Sequence, residues 1–216
     1  LLASSAASDV YKRQDTFYRY LTAFGLGKKT GIDLPGESPG ILITSRNVKR
    51  VDLARIGFGQ SVALTPIQMM MAANSVINGG KLMKPYIVSE IQTPDGETLE
   101  RFHPTVMAAP IRPETSDTMR LLLERVVSEG GGKNAAIAGY RIGGKTGTAQ
   151  VYKNGRVVRD THIGSFYGFA PVNDPQVSIL VIVKEADVPI DYGGTTAAPF
   201  ARQIMQEMLP LSLIHI

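Results

Sequence analysis

Apolar residues recur at helical spacing in four stretches of the chain, and each stretch begins at a residue that favours a helix start. The predicted helices begin at Asp15, Thr65, Pro113 and Thr196, and the last extends to Leu209. Glycines follow the first three, as is common at helix ends. The apolar residues expected to face the core are Phe17, Tyr18, Leu21 and Phe24 in the first helix, Met119, Leu122, Leu123, Val126 and Val127 in the third, and Phe200, Ile204 and Met208 in the last.

The start of the second helix has a complete set of capping residues. Thr65 can accept a hydrogen bond from the Gln68 amide, Gln68 can bond back to Thr65, and Pro66 lies where its missing N–H does no harm. Three methionines follow at 69–71, and we interpret them as flexible core residues rather than a cofactor-binding cluster. The helix is expected to end at Gly79-Gly80.

Other segments have the pattern of β-strands, rich in β-branched and aromatic residues and separated by turn residues. A hairpin is predicted where residues 86–92 and 98–102 flank Pro94-Asp95-Gly96. Three longer strands are predicted at residues 140–152, 163–170 and 177–184. The first of these leads to a hairpin-turn signal, Asn154-Gly155, and the short link between the other two favours antiparallel pairing. Helices followed by an antiparallel meander and a closing helix indicate an α+β fold.

The composition is that of a globular protein, with 44% hydrophobic residues, 19% charged residues and a net charge of +4. The mild basic excess is spread along the chain and gives no support for a nucleic-acid partner. Cysteine is absent, which excludes disulfides and thiolate sites. His103, His162 and His215 show no metal-ligand spacing, so we predict no metal site and no cofactor. The longest apolar run, residues 179–183, is too short to span a bilayer.

One stretch, residues 139–150, supports two incompatible interpretations. From Gly139 to Thr146 it matches the spacing of the phosphate-binding loop, G-x-x-x-x-G-K-[ST]. That loop requires a buried strand before it and a helix that starts at its lysine. A glycine-rich segment precedes this stretch, and Gly147 followed by β-branched and aromatic residues comes after it. The context therefore disfavours a nucleotide site.

The second interpretation is a Lys-Thr-Gly triplet on a strand, Lys145-Thr146-Gly147, followed by Thr148. An ammonium group and two hydroxyls can bind a carboxylate, and the glycine leaves room for a substrate against the strand. An extended peptide could then add to the edge of the sheet. The same triplet occurs at Lys29-Thr30-Gly31, but in a loop rich in Gly and Pro, so only the later copy has the strand context.

Five segments occur in the order and at the spacing of a known family. They are Ile56-Gly-Phe-Gly-Gln60, Leu64-Thr-Pro-Ile-Gln-Met-Met70, Asn74 with Asn78-Gly79-Gly80, Gly143-Gly-Lys-Thr-Gly-Thr-Ala-Gln150 and Gly168-Phe-Ala-Pro171. The combination resembles class B penicillin-binding proteins, and within them the division and sporulation branch. The resemblance covers nearly all of residues 15–209 and corresponds to the C-terminal half of the transpeptidase domain. It implies a partial penicillin-binding or serine β-lactamase-like fold, with an antiparallel sheet flanked by helices.

The resemblance implies acyl transfer from the D-alanyl-D-alanine end of a peptidoglycan stem peptide, through a serine acyl-enzyme that a neighbouring stem's amine resolves. It implies that Lys145 is a catalytic residue, which anchors the substrate carboxylate and assists proton transfer. Thr146 and Thr148 would hydrogen-bond the same carboxylate, and the Thr148 amide would polarise the scissile carbonyl. Gly147 and Gln150 complete the implied substrate-binding set.

The nucleophile motif of the family, S-x-x-K, does not occur in this chain. Ser45-Arg46-Asn47 matches a second motif, S-x-N, but in the family that motif precedes the segment that resembles residues 15–27. We therefore interpret Ser45 as a coincidental match, expect the nucleophile upstream in a longer protein, and expect this chain alone to be inactive. The alternatives are a serine β-lactamase or D,D-carboxypeptidase, and a catalytically inactive sensor or binding domain on the same fold.

The resemblance also implies partners and a location. The expected partners are peptidoglycan stem peptides, lipid-linked precursor strands, β-lactams, and divisome or elongation proteins bound through an N-terminal part. No nucleic acid is among them. The implied location is the bacterial cell membrane, with a single-pass anchor outside this chain and the catalytic domain on the extracytoplasmic side.

The two ends of the chain are related through their DNA. One permitted coding of residues 9–14, DVYKRQ, has a reverse complement that translates as residues 211–216, LSLIHI. Such an inverted repeat resembles a transposon end ligated onto sequencing fragments, and no folding requirement produces it. We therefore expect residues 1–14 and 211–216 to be adapter-derived and residues 15–210 to be the natural part.

Overall fold

The computed structural model describes residues 14–153 and 156–213. The chain divides into two compact units, with the boundary between Arg112 and Pro113. Most of the expected adapter sequence, residues 1–13 and 214–216, lies outside the described residues. Gln14 begins the first described helix, and residues 211–213 continue the last one.

The first unit, described over residues 14–112, combines helices with short antiparallel strand pairs. Its described helices are α1 (Gln14–Ala23), α2 (Arg50–Ile56) and α3 (Pro66–Ile77). Its described strands are β1 (Ile41–Leu42), β2 (Val62–Ala63), β3 (Leu82–Met83), β4 (Glu90–Gln92), β5 (Thr98–Arg101) and β6 (Val106–Ala108). β1 pairs with β2, β3 with β6, and β4 with β5, so the predicted hairpin is confirmed in β4 and β5.

Helix α3 begins as the sequence predicts. Thr65 Oγ1 accepts a hydrogen bond from Gln68 N at 3.3 Å, and Gln68 Oε1 accepts one from Thr65 N at 2.9 Å. The side chain of Gln68 is fully buried, and its Nε2 donates to the carbonyls of Lys28 (2.6 Å) and Pro39 (2.9 Å). The residue that caps α3 therefore also fixes two points of the loop between α1 and β1.

The second unit, described over residues 113–153 and 156–213, contains a three-stranded sheet with helices packed against it. Its described helices are α4 (Pro113–Ser128), α5 (Gly193–Thr196) and α6 (Ala198–Leu213), with a 3₁₀ turn at Lys133–Ala135. Its strands are β7 (Gly143–Lys153), β8 (Arg156–Ala170) and β9 (Val177–Lys184), which pair antiparallel in that order. The predicted meander is confirmed, whereas the Asn154-Gly155 turn lies outside the described residues.

One face of this sheet carries the core of the second unit. Side chains alternate along β8, so Phe166 and Ala170 face the side on which α6 packs. Both are fully buried. The helix meets them with small or flexible side chains, which let it lie close to the strands. The fully buried residues of α6 are Ala198, Ala201, Met205 and Leu209.

The buried stripe of α6 differs from the predicted one. Phe200 and Ile204, expected to face the core, are 53% and 45% exposed, and Met208 is half-buried. The buried positions lie one residue further along, at Ala201, Met205 and Leu209. The prediction was wrong because it chose the stripe with the largest apolar side chains, whereas small residues fit the close approach to the sheet.

Two other core predictions need correction. Leu122 in α4 and Met69 in α3 are exposed, although both were expected in the core. Tyr18, Met71 and Val127 are buried as predicted. In α3 and α4 the apolar residues cover a wider stripe of the helix surface than the part that packs against the rest of the unit. Helical spacing alone therefore includes residues at the edge of the buried stripe. None of the described helices is long and apolar enough to cross a membrane.

Candidate functional site

Residues 145–148 lie on β7, which is an edge strand in the described part of the chain. β7 pairs with β8, so that Lys145 lies opposite Tyr167 and Gly147 lies opposite Ser165. On its other side no described strand pairs with it. An edge of this kind offers backbone N–H and C=O groups to an extended peptide. The strand context predicted for the Lys-Thr-Gly triplet is therefore confirmed.

The phosphate-loop interpretation of the same residues is wrong. β7 begins at Gly143 and continues through Lys145 and Thr146 to Lys153, so no helix starts at the lysine. A phosphate-binding loop depends on the free N–H groups at a helix start. The extended backbone here cannot supply them.

The side chains of the triplet alternate across the strand. Lys145 and Gly147 lie on one face. Thr146 and Thr148 lie on the other, and Gln150 follows two residues beyond Thr148. Lys145, Thr148 and Gln150 are exposed, and the other two are half-buried. The Lys145 ammonium donates to the carbonyl of Thr146 at 2.8 Å, so it lies along the backbone of the strand. The structure thus places all five predicted site residues on one edge strand.

Gly147 is required by the space around it. A Cβ atom at this position would lie 2.5 Å from Ser165 Oγ on β8. A Cβ atom on Gly193 would run into the carbonyl oxygens of Gly147 and Ser165, which cannot rotate away. The glycine at 193 therefore lets the start of α5 lie directly against β7 and β8.

The hydroxyl of Thr148 is held by this close approach. Gly193 N donates a hydrogen bond to Thr148 Oγ1 at 3.3 Å. Because the hydroxyl oxygen accepts this bond, its proton remains available to donate to a ligand. Asn134 Nδ2 donates to the carbonyl of Gly194 at 2.8 Å. The start of α5 is thus fastened both to β7 and to the 3₁₀ turn.

A histidine–aspartate pair lies just before α5. Asp191 Oδ1 is 2.8 Å from His162 Nδ1, and Oδ2 accepts a hydrogen bond from His162 N at 2.7 Å. Burial raises the pKa of the Asp191 carboxyl, but the hydrogen bonds from His162 outweigh it and hold that pKa below its ordinary value. The rings of His162 and Tyr192 meet edge to face, with centroids 5.7 Å apart.

The pair formed by His162 and Asp191 is not predictable from a sequence motif. The two residues are 29 positions apart, and their spacing matches no metal or catalytic motif. The three histidines likewise show no metal-ligand spacing among themselves, so nothing in the sequence marks His162. The pairing of β8 with β9, which brings the end of β9 back beside His162, is the signal that could have suggested a contact.

Both coincidental motif matches fall in loops of the first unit. Ser45 lies in a turn, where its carbonyl accepts a hydrogen bond from Gln14 Nε2 at 2.9 Å. Lys29-Thr30-Gly31 closes around the carboxylate of Glu37. The N and Oγ1 atoms of Thr30 both lie 2.6 Å from Oε1, and Gly31 N lies 3.0 Å from Oε2. This triplet binds a carboxylate of its own chain.

Comparison with known proteins identifies the family. Residues 11–206 match the model of the penicillin binding protein transpeptidase domain, and the chain therefore belongs to this family. Stage V sporulation protein D of Bacillus subtilis (strain 168) is 44% identical over 198 residues, which are 91% of this chain and 31% of that protein. Penicillin-binding protein PbpB of Mycolicibacterium smegmatis is 33% identical over 205 residues, 90% of this chain and 32% of that protein. The expected class B family is confirmed, and the chain spans about a third of the length of these relatives.

Solved structures agree with this assignment. Penicillin binding protein 3 from Mycobacterium tuberculosis, complexed with ampicillin, matches with a TM-score of 0.84 and 28% identity over 93% of this chain and 46% of that chain. The apo transpeptidase domain of penicillin-binding protein 3 from Burkholderia pseudomallei matches with a TM-score of 0.76 and 29% identity, over 90% of this chain and 56% of that chain. The expected α+β transpeptidase fold is confirmed.

Proposed function

We propose that this chain is the C-terminal half of the transpeptidase domain of a longer peptidoglycan D,D-transpeptidase, the parent protein. The observation that carries the proposal is the edge strand β7, on which a lysine and two threonines lie exposed or half-buried in a domain of the penicillin-binding family. An ammonium and hydroxyls on a sheet edge suit a peptide that ends in a carboxylate.

The proposed reaction is acyl transfer in two steps. A serine hydroxyl from the upstream part of the parent attacks the carbonyl between the two D-alanines of a stem peptide. The terminal D-alanine leaves with a proton on its amine, and the rest of the peptide stays on the serine as an ester. The amine of a neighbouring stem then attacks the ester, which forms the cross-link and returns the proton to the serine. β-Lactams acylate the same serine.

Strand β7 holds the peptide for this reaction. The Lys145 ammonium anchors the terminal carboxylate and assists proton transfer, and a bound carboxylate replaces the Thr146 carbonyl as its partner. The hydroxyls of Thr146 and Thr148 donate to the same carboxylate. The Thr148 amide donates to the oxygen on which negative charge develops. Gly147 leaves room for the peptide, and Gln150 flanks it.

The partners and location follow from the same proposal. The parent protein uses peptidoglycan stem peptides on lipid-linked precursor strands and binds β-lactams. It meets divisome or elongation proteins through its N-terminal part, and a single-pass anchor holds the catalytic domain on the extracytoplasmic side of the bacterial membrane. Extension of the DNA sequence upstream tests the anchor, because it is expected to reveal an apolar segment of about 20 residues.

We also propose that residues 1–14 and 211–216 come from sequencing adapters and that residues 15–210 are natural. Amplification of the locus with primers outside the known sequence tests this directly. The reading frame is expected to continue past both ends without the inverted DNA repeat that encodes DVYKRQ and LSLIHI. The same inverted repeat in the amplified genomic DNA would contradict the proposal.

Labelling with a fluorescent penicillin tests the proposed function. The complete parent protein is expected to form a covalent adduct on the serine of an S-x-x-K motif, located by peptide mass mapping. The isolated polypeptide 15–210 is expected to stay unlabelled, because it lacks the nucleophile. A folded parent protein that is not acylated would contradict the enzyme and favour a sensor or binding domain. Label on the isolated polypeptide would contradict the absence of a nucleophile from this chain.

A further inference from the structure

We propose that Asp191 is a positioning residue that holds the chain before α5 against the sheet, so that the Gly193 amide orients the hydroxyl of Thr148. The proposal rests on the proposed function, because it concerns how the carboxylate-binding strand is prepared. Asp191 itself does not touch the substrate in this scheme. It acts through Gly193 on a side chain that does.

The first step is the attachment of Asp191 to the sheet. Its carboxylate accepts a hydrogen bond from the backbone N of His162 at 2.7 Å and lies 2.8 Å from the ring Nδ1 of the same residue. His162 belongs to β8, the strand paired with β7. A backbone amide cannot rotate away, so this bond fixes the position of the segment before α5 relative to β8. Asp191 is buried, which protects both bonds from water.

Second, the turn that follows Asp191 couples the position of Asp191 to that of Gly193. The hydroxyls of Thr195 and Thr196 donate to the carbonyl of Tyr192 at 2.8 and 3.0 Å, which closes a compact turn directly after Asp191. Gly193 then lies against the backbone of Gly147, where no Cβ atom would fit. A segment so tightly packed moves as one piece, and a shift at Asp191 is therefore a shift at the Gly193 amide.

The third step is the effect on Thr148. Its Oγ1 accepts the hydrogen bond from Gly193 N at 3.3 Å. With the oxygen occupied as an acceptor, the hydroxyl proton is directed away from α5, toward the exposed side of β7. Without Gly193 in place, the hydroxyl rotates freely and offers the substrate carboxylate an acceptor lone pair as often as a proton.

A double-mutant cycle in the complete parent protein tests this chain of contacts. The measured quantity is the second-order rate constant for acylation by a fluorescent penicillin, for wild type, D191L, T148V and D191L/T148V. D191L is expected to lower this rate constant about tenfold, the equivalent of one hydrogen bond to a charged group. In the T148V background D191L is expected to have no further effect, because there is no hydroxyl left to orient.

Two further variants separate positioning from stability. D191N keeps an oxygen that accepts from His162 N and an NH₂ group that can donate to Nδ1, so it is expected to recover part of the rate. E124L is the matched control, because it breaks the ion pair in which Arg141 Nε and Nη2 each lie 2.7 Å from the Glu124 carboxylate. It is expected to lower the unfolding temperature without slowing acylation.

The outcomes distinguish this proposal from the proposed function. A wild-type rate in D191L, or an equal loss from D191L with and without Thr148, overturns the role of Asp191 and leaves the transpeptidase intact. A wild-type protein that is not acylated overturns both. Should D191L fail to unfold cooperatively, D191N takes its place in the cycle. D191N is then expected to lower the acylation rate constant about threefold in the wild-type background and not at all in the T148V background.

Discussion

Lys29-Thr30-Gly31 and Lys145-Thr146-Gly147 are the same three residues in sequence but differ in their contacts. In the loop copy, one hydroxyl and two amides surround the carboxylate of Glu37, and Thr30 is only 1% exposed. In the strand copy, the triplet is extended along β7, and the exposed Lys145 bonds to the carbonyl of Thr146. One triplet is filled by a carboxylate from its own chain, and the other lies open along a sheet edge.

The two glycines explain how the same three residues give two structures. Gly31 has a φ of +77°, in the left-handed region that glycine adopts without strain. This conformation turns the chain directly after the amides of Thr30 and Gly31, which both donate to the Glu37 carboxylate. Gly147 is part of an extended strand and is needed because Ser165 occupies the space of its Cβ atom. The loop glycine sets a backbone direction, whereas the strand glycine makes room for a neighbour.

Removal of the two lysines is expected to give the largest difference between the copies. K145A should lower the rate of acylation of the parent protein by fluorescent penicillin about 100-fold, the usual effect of losing one preorganised group that stabilises charge in a site. K29A should leave the rate unchanged, because it removes an exposed charge in the loop copy. Thermal unfolding of both variants checks that the fold survives. Equal rates would show that the strand copy has no special role.

The same substitution at the two glycines is expected to have opposite effects. G147A should lower acylation about tenfold, because its methyl group displaces the Ser165 hydroxyl and the two side chains then narrow the space for the bound peptide, while the backbone of the sheet is kept. G31A should cost about 1–2 kcal/mol of stability, because a φ of +77° is strained for alanine, with no change in acylation. Acylation rate constants and unfolding temperatures of both variants test whether G147A loses rate and G31A loses stability. If both variants lost only stability, Gly147 would be a packing residue and not part of a site.

Local sequence signals predicted the features whose partners lie nearby in the chain. Thr65 and Gln68 are three residues apart, so their capping bonds follow from the sequence alone. The strand context of Lys145 follows from its β-branched neighbours and from the short connections that favour an antiparallel meander. These signals were sufficient to separate the strand copy from the loop copy.

Features that depend on distant contacts were not predictable in this way. The buried stripe of α6 is set by how closely its alanines approach the sheet, and the large residues Phe200 and Ile204 misled the prediction. The contact of His162 with Asp191 depends on where the chain returns after β9. Likewise, the loop was recognised from its glycines and prolines, but Glu37 as the ligand of Thr30 was not.

The smallest expected effect concerns the pH dependence of the loop copy. The hydrogen bond from the Thr30 hydroxyl, together with the amides of Thr30 and Gly31, holds the pKa of Glu37 below its ordinary value of 4.5, against the opposing effect of burial. A carboxyl whose pKa is lower in the folded state stabilises the fold above the unfolded pKa, and this contribution is lost as the pH falls through the folded pKa. The unfolding temperature of E37Q should therefore lie below that of wild type by a constant margin above pH 4.5, and the margin should shrink at lower pH.

Thermal unfolding of the parent protein between pH 3 and pH 7 measures this margin, with E97Q as the matched control, since Glu97 is an exposed carboxylate in the turn between β4 and β5. E97Q should unfold at the wild-type temperature throughout, because an exposed charge contributes little. A margin for E37Q that did not change with pH would mean that contacts other than the carboxylate charge hold the loop. The loop triplet would then have no electrostatic preference for a carboxylate, and its likeness to the strand triplet would be one of sequence alone.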